Sequence, residues 1–181
     1  MGGVSRRGVF LDRDGTINVK PPEHEYVTAE SDFVWLPGAP EALARLADSG
    51  FVLTIVSNQR GVARGLVEPG LLDRIEQRIQ QHLARYGCAI SAFAYCTHDL
   101  ADACDCRKPK PGLILRLADR LQLDLAPSWV IGDSVTDVQA GLAAGCRTAL
   151  VANARRDTRA DVVAPSIAEI SEIVTRQAAR A

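Results

Sequence analysis

Short apolar runs alternate with helical patterns along this 181-residue chain, and this alternation limits the folds that it can adopt. The predicted strands are five buried runs and one edge run, over Val9–Leu11, Phe51–Val56, Ala92–Tyr95, Trp129–Ile131, Thr148–Val151 and Asp161–Ala164. Helices are predicted over Pro40–Ser49, Pro69–Tyr86, Pro111–Leu123, Val135–Ala144 and Ile167–Ala179. This alternation favours an α/β fold with three layers, a Rossmann-like parallel sheet with helices on both faces.

Composition narrows the class of protein. With 47% hydrophobic residues, the chain can form a core of ordinary size, and we expect residues 1–181 to make a single domain. A formal net charge of -1 provides no broad positive surface, so we expect neither nucleic acid nor a membrane as a partner. No apolar run is long enough to span a bilayer, and Met1–Arg7 lacks the apolar core of an export signal. We therefore expect a cytoplasmic monomer.

The first predicted strand ends at two carboxylates that are one residue apart. Asp12 and Asp14 follow an apolar run, and Gly15 and Thr16 come directly after them, adding backbone freedom and a hydroxyl. At the end of a strand both carboxylates can fall on the same side of the turn, where one can attack and the other can handle protons. An isolated pattern of this kind is more typical of a solvated turn, so its interpretation depends on the rest of the chain.

Polar residues also follow the next three predicted strands, and the carboxyl ends of parallel strands meet at the edge where ligands bind. These residues are Ser57, Asn58 and Gln59, then Cys96 and His98, then Asp133 with Asp137 one helical turn later. Phosphoryl transfer needs a nucleophile, an acid–base group, a hydroxyl, a cation and a metal-binding carboxylate. The residues that can supply these groups, in that order, are Asp12, Asp14, Ser57, Lys108 and Asp133.

Three cysteines and one histidine lie within eleven residues, at Cys96, His98, Cys104 and Cys106. In a reducing compartment such cysteines stay as thiols, so clustering points to metal binding rather than to disulfides. A set of three sulfurs and one imidazole matches a structural Zn²⁺ site. The spacings are CxH and CxC rather than the common CxxC, and the alternative is three buried thiols beside a surface histidine.

Four motifs in order resemble those of the haloacid dehalogenase superfamily of phosphatases, namely DRDGT at 12–16, SNQ at 57–59, RKPKPG at 107–112 and GDSVTD at 132–137. The resemblance implies that Asp12 forms an aspartyl-phosphate, and that Asp14 protonates the leaving oxygen and then activates water. It implies that Ser57 and Lys108 bind the phosphoryl group.

The same resemblance implies a Mg²⁺ site at Asp12, Asp14 and Asp133, with Asp14 contributing its backbone carbonyl. Asp137 is expected to support this site. The intervals between the motifs leave no room for a cap domain, so we expect a capless enzyme. An open site of this kind favours a small phosphorylated substrate. We also expect the cysteine cluster to form a zinc-binding loop.

The cysteine-rich loop runs directly into Arg107, and in this it resembles a branch of the superfamily that contains heptose bisphosphate and histidinol-phosphate phosphatases. SNQRGVARG at 57–65 is closer to the heptose bisphosphate phosphatases, and it implies substrate contacts for Arg64 and Arg107. We expect Thr16, Asn58 and Gln59 to bind the phosphate or the substrate as well. The expected reaction is therefore hydrolysis of heptose 1,7-bisphosphate to the 1-phosphate. The five residues between His98 and Cys104 resemble the corresponding loop of histidinol-phosphate phosphatases. Histidinol phosphate is therefore the alternative substrate. An alternative of another class is a non-catalytic, zinc-stabilised binding protein.

Overall fold

The computed structural model describes residues 6–153 and 159–180, and its centre is one six-stranded sheet. The strands are β1 (Arg7–Leu11), β2 (Val52–Asn58), β3 (Ala92–Cys96), β4 (Asp124–Gly132), β5 (Arg147–Val151) and β6 (Val162–Ala164). They lie in the order β3-β2-β1-β4-β5-β6, and every neighbouring pair is parallel. The chain order reverses between β1 and β4, which is where doubly wound sheets bind their ligands. The predicted parallel sheet is confirmed.

Within residues 6–153 and 159–180, five α-helices cover the two faces of the sheet. They are α1 (Ala39–Asp48), α2 (Pro69–Leu83), α3 (Gly112–Leu121), α4 (Val135–Ala144) and α5 (Ile167–Ala178). Side chains alternate between the faces along each strand. Val9 and Leu11 of β1 therefore pack in the core under α1, α2 and α5, whereas Phe10 packs in the core under α3 and α4. The three-layer architecture is confirmed.

Strand β4 begins five residues earlier than the predicted run at Trp129 because its first half is irregular. Arg7 pairs with Asp124, but Val9 pairs with Trp129, so the register shifts between them. Pro127 has no N–H for the ladder, and the hydroxyl oxygen of Ser128 accepts a hydrogen bond from the backbone N–H of Gly8 at 2.8 Å. This shift ends before Trp129, and the last part of β4 carries a regular register to the site.

The long segment between β1 and α1 covers the carboxyl edge of the sheet. Its two ends run beside each other, with backbone hydrogen bonds from Val19 to Val34 and from Leu36 to Ile17, and a 3₁₀ turn lies at Glu30–Asp32. The intervals 15–56 and 60–106, both described in full, hold no added domain, so the capless prediction is confirmed.

None of the described helices has the length and apolar character to cross a membrane. Residues 1–5, where we expected no export signal, lie outside the described residues, and the single domain over 1–181 stays a prediction.

Candidate active site

A buried lysine joins two carboxylates at the centre of the sheet edge. Asp12 follows β1, and Asp137 lies in the first turn of α4. The ammonium of Lys108 lies 2.7 Å from Oδ1 of Asp12 and 2.6 Å from Oδ1 of Asp137, and it donates to the backbone carbonyl of Val56 at 2.8 Å. Lys108 is only 5% exposed, so its charge acts with little screening by water. The structure thus places one cation among the acidic groups of the predicted site.

Burial and charge act in opposite directions on this ion pair. Burial raises the pKa of Asp12 to about 7, although the nearby ammonium of Lys108 opposes that rise. Burial disfavours the charged form of Lys108, yet the carboxylates of Asp12 and Asp137 outweigh it and hold the pKa of the lysine above its usual value. The lysine is therefore a fixed positive charge at neutral pH.

Three carboxylates form a group that fits a divalent cation. Oxygens of Asp12, Asp133 and Asp137 all lie within 4.8 Å of one another, and hard oxygen ligands are what Mg²⁺ prefers. Oδ2 of Asp137 already accepts hydrogen bonds from the backbone N–H and the hydroxyl of Ser134, at 3.0 and 2.7 Å. Asp12 and Asp133 are thus the carboxylates best placed to ligate an ion, and the side chain of Asp14 stands outside the group.

Two glycines leave the space that these carboxylates occupy. A Cβ added at Gly132 would overlap the carboxylate of Asp137, and one added at Gly15 would overlap that of Asp133. Gly15 also has φ +90, a conformation that residues with side chains rarely adopt. The glycines of the first and fourth motifs are therefore required by close packing of the acidic groups.

The carboxylate of Asp14 is held by four donors on three side chains. Its Oδ1 accepts from Nε and Nη2 of Arg13, at 3.1 and 3.0 Å, and from Nδ2 of Asn18 at 2.9 Å. Its Oδ2 accepts from Nη2 of Arg13 and from Nε2 of Gln59, each at 2.9 Å. Its side chain is still about one-fifth exposed. It lines the cavity at the carboxyl edge of the sheet, whose wall also includes Asp12, Lys108 and Asp133 and which is called the main cavity below. The carboxylate therefore has a fixed orientation at the cavity wall.

The second motif places its three side chains in three different surroundings. Ser57 is buried, and its oxygen accepts from Nε2 of Gln59 at 3.1 Å, which leaves the hydroxyl hydrogen to be donated. Asn58 pairs with the backbone of Lys108, accepting from its N–H at 3.1 Å and donating to its carbonyl at 3.2 Å. The amide of Gln59 is committed to Ser57, Arg13 and Asp14. Asn58 and Gln59 thus hold other site residues in place.

The predicted binding residues differ in their access to the main cavity, which has a volume of about 700 Å³. Arg107 lines it, and its Nη1 is buried without a hydrogen-bond partner among the described residues. Arg64 is exposed beside the cavity, with Nη1 3.3 Å from the hydroxyl of Tyr26, which lines it. Thr16 is fully buried and is not among the described residues that form the wall. The structure therefore brings Arg107 to the cavity and Arg64 to its rim, and it buries Thr16 outside the cavity wall.

The four predicted zinc ligands converge. The sulfur of Cys96 lies 3.6 Å from that of Cys104 and 3.7 Å from Nδ1 of His98, which is itself 3.2 Å from the sulfur of Cys106. In a tetrahedral site with bonds of about 2.3 Å to sulfur and about 2.0 Å to nitrogen, ligand atoms are about 3.5 to 3.8 Å apart. All four ligand atoms lie within 4.8 Å of one another. The cluster has the composition of a structural zinc site, and its four ligand atoms lie close enough together to share one ion.

Some residues that the motifs did not predict also take part in the site, among them Asn18, Arg13 and Lys20. Arg13 is fully buried and binds Asp14. The ammonium of Lys20, from the long segment after β1, lies 2.5 Å from Oδ2 of Asp133. One signal in the sequence was available for Lys20, because the chain has only three lysines, and the other two, Lys108 and Lys110, lie in the third motif.

Comparison with known proteins identifies the family of this chain. The HAD-hydrolase-like family model matches residues 105–171. The D-glycero-beta-D-manno-heptose-1,7-bisphosphate 7-phosphatase of Pseudomonas aeruginosa is 35% identical over 148 residues, covering 82% of this chain and 82% of the relative. The Escherichia coli enzyme of the same name is 33% identical over 182 residues, covering 93% of this chain and 94% of the relative.

One solved structure of similar fold covers nearly the whole chain. The crystal structure of D,D-heptose 1,7-bisphosphate phosphatase from B. bronchiseptica, complexed with magnesium and phosphate, matches with a TM-score of 0.84 and 32% identity. The match covers 94% of this chain and 99% of that one. The chain is therefore a phosphoric monoester hydrolase, and it belongs to the haloacid dehalogenase-like family that contains the D-glycero-beta-D-manno-heptose-1,7-bisphosphate 7-phosphatases.

Proposed function

We propose that this protein hydrolyses D-glycero-D-manno-heptose 1,7-bisphosphate to the 1-phosphate, in a Mg²⁺-dependent reaction that passes through an aspartyl-phosphate. The observation that carries the proposal is the meeting of Asp12, Lys108 and Asp133 where β1 and β4 end. The names of its relatives support the same substrate.

In the first step an oxygen of the Asp12 carboxylate forms a bond to the phosphorus of the 7-phosphate. The bond between phosphorus and the sugar oxygen breaks, and that oxygen takes the proton of the Asp14 carboxyl group. In the second step a water oxygen attacks the same phosphorus and gives a proton to the Asp14 carboxylate. The bond to Asp12 breaks, inorganic phosphate leaves, and both side chains return to their starting states.

The transferred group is surrounded by complementary charge. Ser57 donates its free hydroxyl hydrogen to a phosphoryl oxygen, and the buried ammonium of Lys108 offsets the negative charge. Asp12 and Asp133, with the backbone carbonyl of Asp14, would hold Mg²⁺. When bound, that ion would offset negative charge on the phosphoryl group. Asp137 supports the site by fixing Lys108 and the start of α4.

The arginines beside the cavity would select a doubly phosphorylated substrate. Because Ser57, Lys108 and the metal already serve the transferred group, Arg107 and Arg64 remain for the second phosphate or the sugar hydroxyls. A guanidinium binds a phosphate through two charge-assisted hydrogen bonds, whereas it repels the positively charged amine of histidinol phosphate. The spacing of the zinc ligands is the observation that favours histidinol phosphate, so the substrate panel must include it.

The cluster at Cys96, His98, Cys104 and Cys106 would hold one structural Zn²⁺, because four protein ligands leave no position for a water. Lys110 donates to the backbone carbonyl of Cys104 at 2.6 Å, and this ties the zinc loop to the segment that carries Lys108. Zinc would therefore keep the catalytic lysine in place. A monomeric state and a cytoplasmic location stay predictions, and light scattering tests the first.

The test of the proposed function is phosphate release from a panel of compounds with Mg²⁺ present. The panel holds both anomers of heptose 1,7-bisphosphate, a heptose monophosphate, histidinol phosphate and p-nitrophenyl phosphate. Preference for a heptose bisphosphate, with one phosphate released per molecule, supports the proposal. Preference for histidinol phosphate would replace it with the alternative.

A further inference from the structure

Arg13 stands between the two predicted catalytic aspartates in the sequence, and its side chain is fully buried. A charged side chain is rarely buried unless partners offset the loss of water. The guanidinium reaches both oxygens of Asp14, with three contacts of 2.9 to 3.1 Å. Contact with both oxygens fixes the plane of a carboxylate as well as its position, which a single ammonium does not do. Arg13 therefore determines how the Asp14 carboxyl group is turned.

The same guanidinium also orients a neighbouring amide. Nη2 of Arg13 donates to Oε1 of Gln59 at 3.2 Å. With its oxygen engaged in this way, Gln59 turns its Nε2 towards Oδ2 of Asp14, at 2.9 Å, and towards the hydroxyl oxygen of Ser57, at 3.1 Å. Arg13 thus holds the predicted acid in two ways, directly and through the amide of Gln59.

Arg13 itself stands away from the reacting groups. It is not among the described residues that line the main cavity, whereas Asp14 is. A guanidinium also keeps its charge throughout the working pH range, so it neither gives nor takes the transferred proton. Any effect of Arg13 on the reaction must pass through the residues that it holds.

We infer that Arg13 is a positioning residue, whose buried guanidinium fixes the Asp14 carboxyl group in the orientation from which it exchanges a proton with the leaving oxygen. The inference rests on the proposed function, in which Asp14 protonates that oxygen as the bond to phosphorus breaks. Loss of Arg13 therefore slows proton transfer and leaves substrate binding nearly unchanged.

The readout is the dependence of rate on the leaving group. A sugar alkoxide needs a proton as it leaves, whereas p-nitrophenolate leaves without one. The measured quantity is kcat/KM, because it covers the steps up to departure of the leaving group and excludes the attack of water on Asp12, which is the same for both substrates. Arg13→Met is expected to lower kcat/KM for heptose 1,7-bisphosphate by roughly ten- to a hundred-fold, in line with the effect of misplacing a catalytic group. We expect less than about a three-fold change in kcat/KM for p-nitrophenyl phosphate.

A double-mutant cycle separates positioning from a general structural role. Because Arg13 acts through Asp14, Arg13→Met should have no further effect on kcat/KM in an Asp14→Asn background. Arg13→Lys keeps the charge but cannot span both oxygens, and its effect should be intermediate. If Arg13→Met does not fold, the Arg13→Lys cycle provides the same test.

The matched control is Arg7→Met, at the other end of β1. The guanidinium of Arg7 is partly buried and donates to the carbonyls of Ser49 and Ala178, far from the cavity. This variant should lower the melting temperature without changing the ratio of rates on the two substrates. Equal losses on both substrates for Arg13→Met, or an undiminished loss in the Asp14→Asn background, would overturn the inference. Equal losses for Asp14→Asn itself would overturn both the inference and the proposed role of Asp14.

Discussion

Asn58 forms two hydrogen bonds with the backbone of Lys108, one to its N–H and one to its carbonyl. The two residues are 50 positions apart in sequence, so this pair closes the gap between the end of β2 and the segment before α3. The ammonium of Lys108 then reaches Asp12 and Asp137. A residue first expected to bind substrate is thus placed to hold the catalytic cation.

Substitution of Asn58 should therefore act on the rate. Asn58→Leu removes both hydrogen bonds to the backbone of Lys108, and kcat is expected to fall by roughly ten- to a hundred-fold, because small displacements of a catalytic group are costly. Steady-state kinetics of Asn58→Leu, Lys108→Met and the double variant measure the effect. An Asn58→Leu loss that adds in full to the Lys108→Met loss would contradict this account, since groups that act as a unit are not additive.

Zinc content and stability should change together. The protein purified without chelators is expected to carry about one zinc per chain. Cys104→Ala should lose the metal, lower the melting temperature and reduce activity, because the loop it supports is tied to Lys110. Cys88→Ala is the control, since Cys88 is buried outside the cluster and should keep its zinc. Full zinc occupancy in Cys104→Ala, by elemental analysis, would contradict the assignment.

Affinity for Mg²⁺ should depend on pH through Asp12. Burial raises the pKa of this carboxyl group to about 7 from 3.8, so the protonated form predominates below that pH and the ion must displace the proton. Calorimetry should show affinity falling by about ten-fold for each unit below pH 7, with proton release on binding, and levelling off above about pH 8. Asp133→Asn is the control and should bind weakly at every pH. Constant affinity of the parent protein from about pH 5.5 to pH 8 would contradict this prediction.

The arginines beside the cavity should affect one class of substrate only. A charge-assisted hydrogen bond to phosphate contributes about 1.5 to 3 kcal/mol, so Arg107→Ala should lower kcat/KM for the bisphosphate by roughly ten- to a hundred-fold. Arg64→Ala should act in the same direction, whereas activity on p-nitrophenyl phosphate should barely change. Arg120→Ala, an exposed position on α3, should affect neither substrate. Equal losses on both substrates for Arg64→Ala and Arg107→Ala would count against a second phosphate.

Helix and strand positions could be predicted from the sequence because their apolar periods are regular, and the ends that differed have local causes. The helix predicted as far as Leu123 ends at Leu121, because Gln122 adopts the left-handed conformation usually taken by glycine. The helix predicted as far as Tyr86 ends at Leu83, and its last residues form a 3₁₀ turn. Neither ending carries a distinctive residue at the point where the helix stops.

The composition of the site could be predicted better than its internal contacts. Motifs that follow the strands predicted that Asp12, Ser57 and Asp133 lie at one edge, because the carboxyl ends of parallel strands share that edge. Lys108 was predicted from the third motif, in the segment before α3. Sequence does not specify which way a side chain turns within a loop. The burial of Arg13 beside Asp14, and the engagement of Gln59 with both of them, therefore emerged only from the structure.

The proposed function is tested by Mg²⁺-dependent phosphate release from heptose 1,7-bisphosphate, compared between the parent protein and Asp12→Asn. The parent is expected to release one phosphate per molecule and to prefer this substrate over histidinol phosphate. Asp12→Asn should fold normally but show no turnover, because a neutral amide is a poor nucleophile and a weaker metal ligand. Substantial turnover by Asp12→Asn, or a parent protein that prefers histidinol phosphate, would contradict the account.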